Sequence, residues 1–420
     1  MRSEIITIGD ELLIGQVINT NQAFIAEQLN TVGIYTERMT TVGDDADQIM
    51  SAFSSAWSDM DVVCVTGGLG PTHDDITRNV VCTFFKTDLV MNDDVLAHVK
   101  ELAQRRNIPL LQSNIDQALV PRSSTVIPNM NGTAPGMMFE QDGKYFFVLP
   151  GVPFEMKAMM LDTIIPFFEK RSDGMIVRHR TLKTTGIGES LLANKIGDIR
   201  DVIGSDRMTT LAFLPNPMGT KLRITVKAHD PNIVQSKLDA TESMIRSKVE
   251  KYIYSADDKD LEHVIGMLLQ QKHLTLAVAE SCTGGLISHR ITNVPGSSRY
   301  FMRGFITYSD QSKIEELNIE PALLQAHGAV SKESAMAMAM GARLKAKTDV
   351  ALSCTGIAGP SGGTKEKPVG LCYIGYSDAE STHALKFNFG DHRLRFKDRA
   401  SQAVLELLRR KLLNISNGND

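Results

Sequence analysis

Over its first 170 residues the chain alternates two hydrophobic rhythms. "EIITIG" (4–9), "MDVVCVTGG" (60–68) and "DGKYFFVLPG" (142–151) are short apolar runs rich in β-branched or aromatic residues, each ending in a turn. Such runs predict buried strands. "NTNQAFIAEQLNTVG" (19–33) places Ile25 and Leu29 four apart, with Gly33 as a stop, and "DADQIMSAFSSAWSD" (45–59) has a similar period. Both predict helices. Strand alternating with helix implies a parallel sheet covered on both faces.

The rhythm changes over about 175–255. "LAFLPNPMGTKLRITVKA" (211–228) reads as two strands around a Pro/Gly turn, and "NIVQSKLDATESMIRSKVEKYI" (232–253) as one helix behind them. "SADDKDLEH" (255–263) reads as a linker. From about 262 the α/β alternation resumes and ends in an amphipathic helix, "ASQAVLELLRRKLL" (400–413). The fold class expected is α/β: two three-layer domains with mainly parallel sheets, 1–172 and 256–420, joined by a small α+β domain, 173–255.

Composition narrows the function. A chain of 420 residues exceeds what one core usually covers. Lys+Arg 45 against Asp+Glu 49 gives a net charge of −4, so no nucleic-acid partner is expected. No apolar run approaches the roughly 18 residues of a membrane span, and "MRSEIITIGDELL" is unlike a secretory leader. The five cysteines include no CxxC pair and read as reduced thiols. A cytoplasmic location, away from membranes, is the expectation.

Three apolar strands run into glycine-rich turns: "CVTGGLGPT" (64–72), "AESCTGG" (279–285) and "LSCTGIAGPSGG" (352–363). Turns of this kind expose backbone N–H groups, and a following helix adds its positive end. In the second, Ser281 and Cys282 are adjacent candidate nucleophiles with no histidine close by in the chain that looks like a base, and the N–H groups of Thr283, Gly284 and Gly285 could receive an oxyanion. Cys282 and Cys354 also read as small buried hydrophobes. In "GFITYSDQSKIEELNI" (304–319), Lys313 falls in the first turn of a helix capped by Ser309 or Asp310. The helix dipole would disfavour its charge there, and a lysine can replace histidine as the base for serine.

At the N-terminal end, "IGDELLIGQVINTN" (8–21) and "VTGGLGPTHDDIT" (65–77) are acid-bearing turns. Asp10 and Glu11 could cap the following helix or face a ligand. Gly67, Gly68, Gly70 and Thr72 could hold a phosphate, with Asp74 and Asp75 as hard oxygen ligands for Mg²⁺. His73 reads as a loop residue. "GTAPGM" (132–137) and "LPGVPFEM" (149–156), which includes Gly151, could close over the ligand.

"AESCTGG", "GFITYSDQSK", "HGAVS" (327–331), "CTGIAGPSGG" and "EKPVGLCYIG" (366–375) together resemble the C-terminal domain of the CinA (competence/damage-inducible) family, which is similar to nicotinamide-nucleotide amidases. The resemblance implies hydrolysis of nicotinamide mononucleotide (NMN) to nicotinic acid mononucleotide and ammonia, with no cofactor. It makes Ser281 the nucleophile, Lys313 the base, Tyr308 a supporting hydroxyl and Thr355 a residue that holds or polarises the substrate. Glu280 would lie near the cationic ring, with Thr283, Gly284, Gly285 and Gly356 lining the site. The family's arginine before the last helix aligns with Arg393 of "FGDHRLRFKDRAS" (389–401), with Arg395 or Arg399 as alternatives and Lys397 at a second basic position.

The first 170 residues resemble the MoaB/MogA-like molybdopterin-binding fold found at the N-terminus of CinA proteins, and 175–255 resemble the family's KH-like insert. By that resemblance Asp44 and Asp75 are the central aspartates and bind a divalent metal. The implied activity is a metal-dependent ADP-ribose pyrophosphatase, and a homodimer is expected. A molybdopterin-handling transferase and a regulatory protein with a silent site are the alternative readings.

Overall fold

The computed structural model describes residues 1–70, 75–171, 174–206, 208–257 and 259–416. The chain divides into two compact units, Met1–Arg178 with Lys227–Gln235, and His179–Val226 with Ser236–Asp420.

The first unit is built on a six-stranded sheet in the order Tyr35–Val42, Arg2–Ile8, Val62–Thr66, Lys144–Leu149, Gly136–Gln141, Thr125–Ile127. The first four strands are parallel, and the last two add antiparallel. Side-chain alternation makes the three layers. Ile5, Val62 and Cys64 pack with Ile25, Leu29, Met156 and Phe168 on one face. Ile6, Val63 and Val65 pack with Ile49, Phe53 and Val81 on the other. The expected helices form at Thr20–Thr31 and Ala46–Asp59, capped by the side chains of Asn19 and Asp45. Since Asp45 is the cap, Asp44 does not serve as one.

The second unit carries two sheets. The smaller has the order Thr209–Asn216, Gly219–Ala228, Ile176–Thr184, Ile253–Ser255, and it accompanies the helix Pro231–Val249. The larger has the order Phe301–Ile306, Leu276–Glu280, Val350–Gly356, Leu371–Ser377, Thr382–Asn388. Its first three strands are parallel and its last two antiparallel. Leu276, Val278, Leu352 and Cys354 face a core that includes Phe396, Ala400 and Val404. Ala277, Ala279 and Ala351 face Met338 and Ala342.

Two expectations change. The last helix spans Arg393–Leu412, so it starts seven positions before residue 400. Arg393, Leu394 and Arg395 are exposed, which hid the period, but Phe396 and Ala400 bury one face and the His392 ring caps the start by accepting from the Arg395 N–H. The glycine-rich turn after Val350–Gly356 leads to an antiparallel strand, so no helix follows it directly.

Candidate active sites

Parallel strands end together, so the loops after them share one edge. In the larger sheet of the second unit, Glu280 pairs with Ile306 on one side and Cys354 on the other. Ser281, Thr307 and Thr355 therefore follow on three adjacent strands. The Ser281 N–H donates to the Cys354 carbonyl at 2.9 Å, and the Thr307 N–H to the Glu280 carbonyl at 2.8 Å.

Lys313 is brought to this edge by the helix Asp310–Leu317, whose N-cap is Ser309. Its side chain is 1% exposed. Nζ lies 3.3 Å from Ser281 Oγ, 3.0 Å from the Thr307 carbonyl and 3.3 Å from the Tyr308 carbonyl. Burial pushes the Lys313 ammonium down, against a smaller upward pull from Asp310. The Ser309 carbonyl lies 3.4 Å away as well, so three carbonyls surround Nζ; a neutral amine donates to two of them at a time and keeps one lone pair for the Ser281 proton.

The turn itself is held by Glu280. This fully buried carboxylate accepts from the N–H groups of Gly285, Ile287 and Ser288 and from Ser288 Oγ, all within 2.7–3.1 Å. It thus caps the helix Leu286–Thr292 from within, with both oxygens already engaged by those donors. The anion cradle read from the sequence is smaller for the same reason. The Gly285 N–H is taken by Glu280 and the Gly284 N–H by the Ser281 carbonyl. Among the described residues the N–H of Thr283 has no acceptor, which makes it the donor left for an oxyanion. Gly284 and Gly285 contribute shape instead, at φ 60 and 96, where a side chain would be strained.

Tyr308 is 60% exposed, and its hydroxyl accepts from Arg393 at 3.1 Å rather than meeting Ser281. Arg393 also donates to the Gly359 carbonyl at 3.0 Å. One helical turn on, Lys397 Nζ lies 3.8 Å from where a Gly284 Cβ would stand. The start of the last helix thus delivers two cations to the serine turn. Arg395 is exposed. Arg399 donates to the Phe389 carbonyl and lines a separate cavity of about 1090 Å³ with Thr185–Glu189, Pro215–Thr220 and Phe387. Arg399 is therefore not gathered with Ser281.

Thr355 is fully buried and donates its hydroxyl to the Ala329 carbonyl at 2.8 Å, which leaves its oxygen able to act only as an acceptor. Gly356 has no room for a side chain: a Cβ would sit 2.7 Å from the Leu371 carbonyl and 2.8 Å from Phe396. Two hydroxyls at this edge, Thr283 Oγ1 and Thr307 Oγ1, are buried with no hydrogen-bond partner. Thr307 was missed by sequence reasoning, although it precedes Tyr308 in a motif already singled out.

In the first unit, the ends of the parallel strands gather Asp10, Asp44, Gly67–Gly70 and Gly151. Asp10 and Asp44 are clasped, each accepting from the other's N–H at 3.1 and 3.3 Å. Asp10 and Glu11 make no cap bond to the short helix Asp10–Leu13, and the Glu11 carboxylate folds against Gly9 instead. Gly67 packs on the Ile8 carbonyl, Gly68 on Thr77 Oγ1, Gly70 on the Asp75 carboxylate and Gly151 on Gly67. A side chain at any of these positions would fill the turn. Asn21 donates to the Gly151 carbonyl, and both Asn21 Oδ1 and Thr77 Oγ1 are buried without a partner. Asn129 donates to Ala134 and Glu155, tying the 132–137 and 149–156 turns together. Thr72, His73 and Asp74 lie outside the described residues.

Among the described residues no three His, Cys, Asp or Glu side chains converge at this edge. Mg²⁺ is commonly held by one or two carboxylates, with phosphate oxygens and waters completing its shell. Asp44 and Asp75 are the carboxylates here that could hold such an ion.

A serine–lysine pair at one sheet edge and a glycine-cradled acidic turn at another define a protein with two separate α/β sites. Family descriptions cover both. "Probable molybdopterin binding domain" matches residues 4–170, "Damage-inducible protein CinA KH domain" 179–255, and "CinA C-terminal domain" 258–412. A CinA-like protein of Chloroherpeton thalassium is 44% identical over 424 residues, covering 99% of this chain and 100% of the relative. A CinA-like protein of Dictyoglomus turgidum is 42% identical, with the same coverage. A crystal structure of CinA, of unknown function, from Thermoplasma acidophilum is 36% identical and covers 39% of this chain and 97% of that one, with a TM-score of 0.36. The chain belongs to the CinA family. No helix among the described residues is long and apolar enough to cross a membrane.

Proposed function

We propose that the second unit is a nicotinamide-nucleotide amidase. The observation that carries this reading is the buried Lys313 Nζ, 3.3 Å from Ser281 Oγ. Neutral Lys313 takes the Ser281 proton as Oγ attacks the carboxamide carbon of NMN. The Thr283 N–H receives the developing oxyanion. Lys313 then passes its proton to the departing nitrogen, and ammonia leaves an acyl-serine ester. Water, deprotonated by Lys313, hydrolyses that ester to nicotinic acid mononucleotide. Thr355, whose hydroxyl proton is given to the Ala329 carbonyl, accepts from the carboxamide N–H. Arg393 and Lys397 hold the phosphate, Arg393 with the planar donor geometry that suits it. The test is direct: NMN incubated with the protein releases ammonia and nicotinic acid mononucleotide in equal amounts.

For the first unit we propose a metal-dependent ADP-ribose pyrophosphatase. Gly67–Gly70 and the buried Thr77 hydroxyl would cradle the phosphates, and Asp44 and Asp75 would hold the metal. The metal, when bound, supplies charge neutralisation at the pyrophosphate. A molybdopterin-type ligand fits the same cradle, so Mg²⁺-dependent turnover of ADP-ribose is the distinguishing assay. A homodimer and a cytoplasmic setting accompany this proposal.

A further inference from the structure

Directly behind Ser281 the second unit gathers three thiols. Cys282 follows Ser281 in the turn, Cys354 sits on the strand Val350–Gly356, and Cys372 on the strand Leu371–Ser377. Cys354 pairs with Ile374, so Cys372, two positions away, points to the same face of the sheet. The Sγ–Sγ distances are 3.4 Å for Cys282–Cys354 and 3.6 Å for Cys354–Cys372, and all three sulfurs lie within 4.8 Å of one another. All three are buried in the core that contains Ile287, Ile374 and Phe396. The cysteines stand far apart in the chain, and only the sheet brings them together.

We propose that Cys282, Cys354 and Cys372 form a binding site for a thiophilic monovalent cation of the Cu(I) class. The ligand set selects the metal. Three sulfurs and no oxygen or nitrogen donor make a soft site. Structural Zn²⁺ wants four ligands in a tetrahedron, and among the described residues no fourth His, Cys, Asp or Glu joins the group. Three coordination suits a d¹⁰ monovalent ion. The spacing also fits: sulfurs bound to one metal at about 2.3 Å lie about 3.8–4.0 Å apart, a few tenths of an ångström from the two distances observed. Binding releases the thiol protons to solvent as the metal–sulfur bonds form.

Metal binding here is independent of the amidase reading. Only one consequence rests on that reading: a metal on Cys282 would tie down the turn that carries Ser281 and slow NMN hydrolysis.

The test uses the reduced full-length protein under anaerobic conditions, titrated with Cu(I) against a colorimetric Cu(I) chelator. One Cu(I) per chain should resist the chelator, and X-ray absorption should give a shell of three sulfurs. Cys372→Val and Cys354→Val should each weaken binding at least 10-fold, with circular dichroism confirming that the variants are folded. Cys82→Ser, which changes a half-buried thiol of the other unit, should leave the tight equivalent intact. The proposal is overturned if wild type yields Cu(I) as readily as folded Cys372→Val, or if the tight equivalent disappears in Cys82→Ser. A wild-type absorption spectrum with nitrogen or oxygen in the shell overturns it even if the valine variants do not fold.

Discussion

Lys313 Nζ reaches Ser281 Oγ at 3.3 Å across 32 positions of sequence, from a side chain that is 1% exposed. Burial favours the neutral amine, so Lys313 titrates below the ordinary lysine value of about 10.4. The base must be neutral to work. The kcat/KM for NMN should therefore rise with pH and level off below that value, following one deprotonation. A pH–rate profile checks this, and a limb that persists in the residual activity of Lys313→Met would assign it to another group.

The same burial affects stability with a definite sign. The unfolded chain holds the Lys313 proton more tightly than the folded one, so the penalty is full below the folded pKa and vanishes above about pH 10.4. Denaturant melts should find Lys313→Met more stable than wild type at pH 7, with the gap closing as the pH rises towards 10.

Glu280 is read here as a structural anchor rather than a substrate contact. Its carboxylate satisfies four donors around the Ser281 turn. Glu280→Gln keeps the shape but turns one acceptor into a donor and removes the charge. It should cost about 1.5–3 kcal/mol of stability, measured by urea unfolding. A rise in the KM for NMN without loss of stability would restore the substrate role.

Arg393 and Arg399 separate cleanly. Arg393 meets Tyr308 and Gly359 beside the serine turn, whereas Arg399 lines another cavity. Arg393→Ala should raise the KM for NMN about 10-fold or more, the scale of a lost charge-assisted contact of 1.5–3 kcal/mol. Arg399→Ala should leave the KM within about twofold, since it removes no such contact. Steady-state kinetics on both variants decides between them.

Asp75→Ala should abolish Mg²⁺-dependent hydrolysis of ADP-ribose while leaving ammonia release from NMN unchanged, because Asp75 belongs to the first unit and Ser281 to the second. Assaying both reactions on one preparation checks both halves of the statement.

Much of this was legible in the sequence because the signals were local. The strands ending at Ile8, Thr66, Leu149 and Glu280 followed from short apolar runs stopped by turns, and Ser309, one of two expected candidates, capped its helix. Non-local facts were hidden. No spacing shows that Glu280 folds forward onto Ser288, or that this uses up a donor of the expected cradle. Nor does it show that Cys372 shares a sheet face with Cys354, since that depends on strand register. The last helix began earlier than its apolar period because the first turn, Arg393–Arg395, leaves its one apolar residue, Leu394, exposed between two arginines.

The central claim is that Ser281 attacks with Lys313 as its base, while Cys282 serves another purpose. Ammonia release from NMN by wild type, Ser281→Ala, Lys313→Met and Cys282→Ala measures it most directly. The account predicts losses of about 10³-fold or more for Ser281→Ala and about 10²–10⁴-fold for Lys313→Met, with most activity kept in Cys282→Ala. Activity kept in Ser281→Ala but lost in Cys282→Ala, or no ammonia from wild type at all, would contradict it.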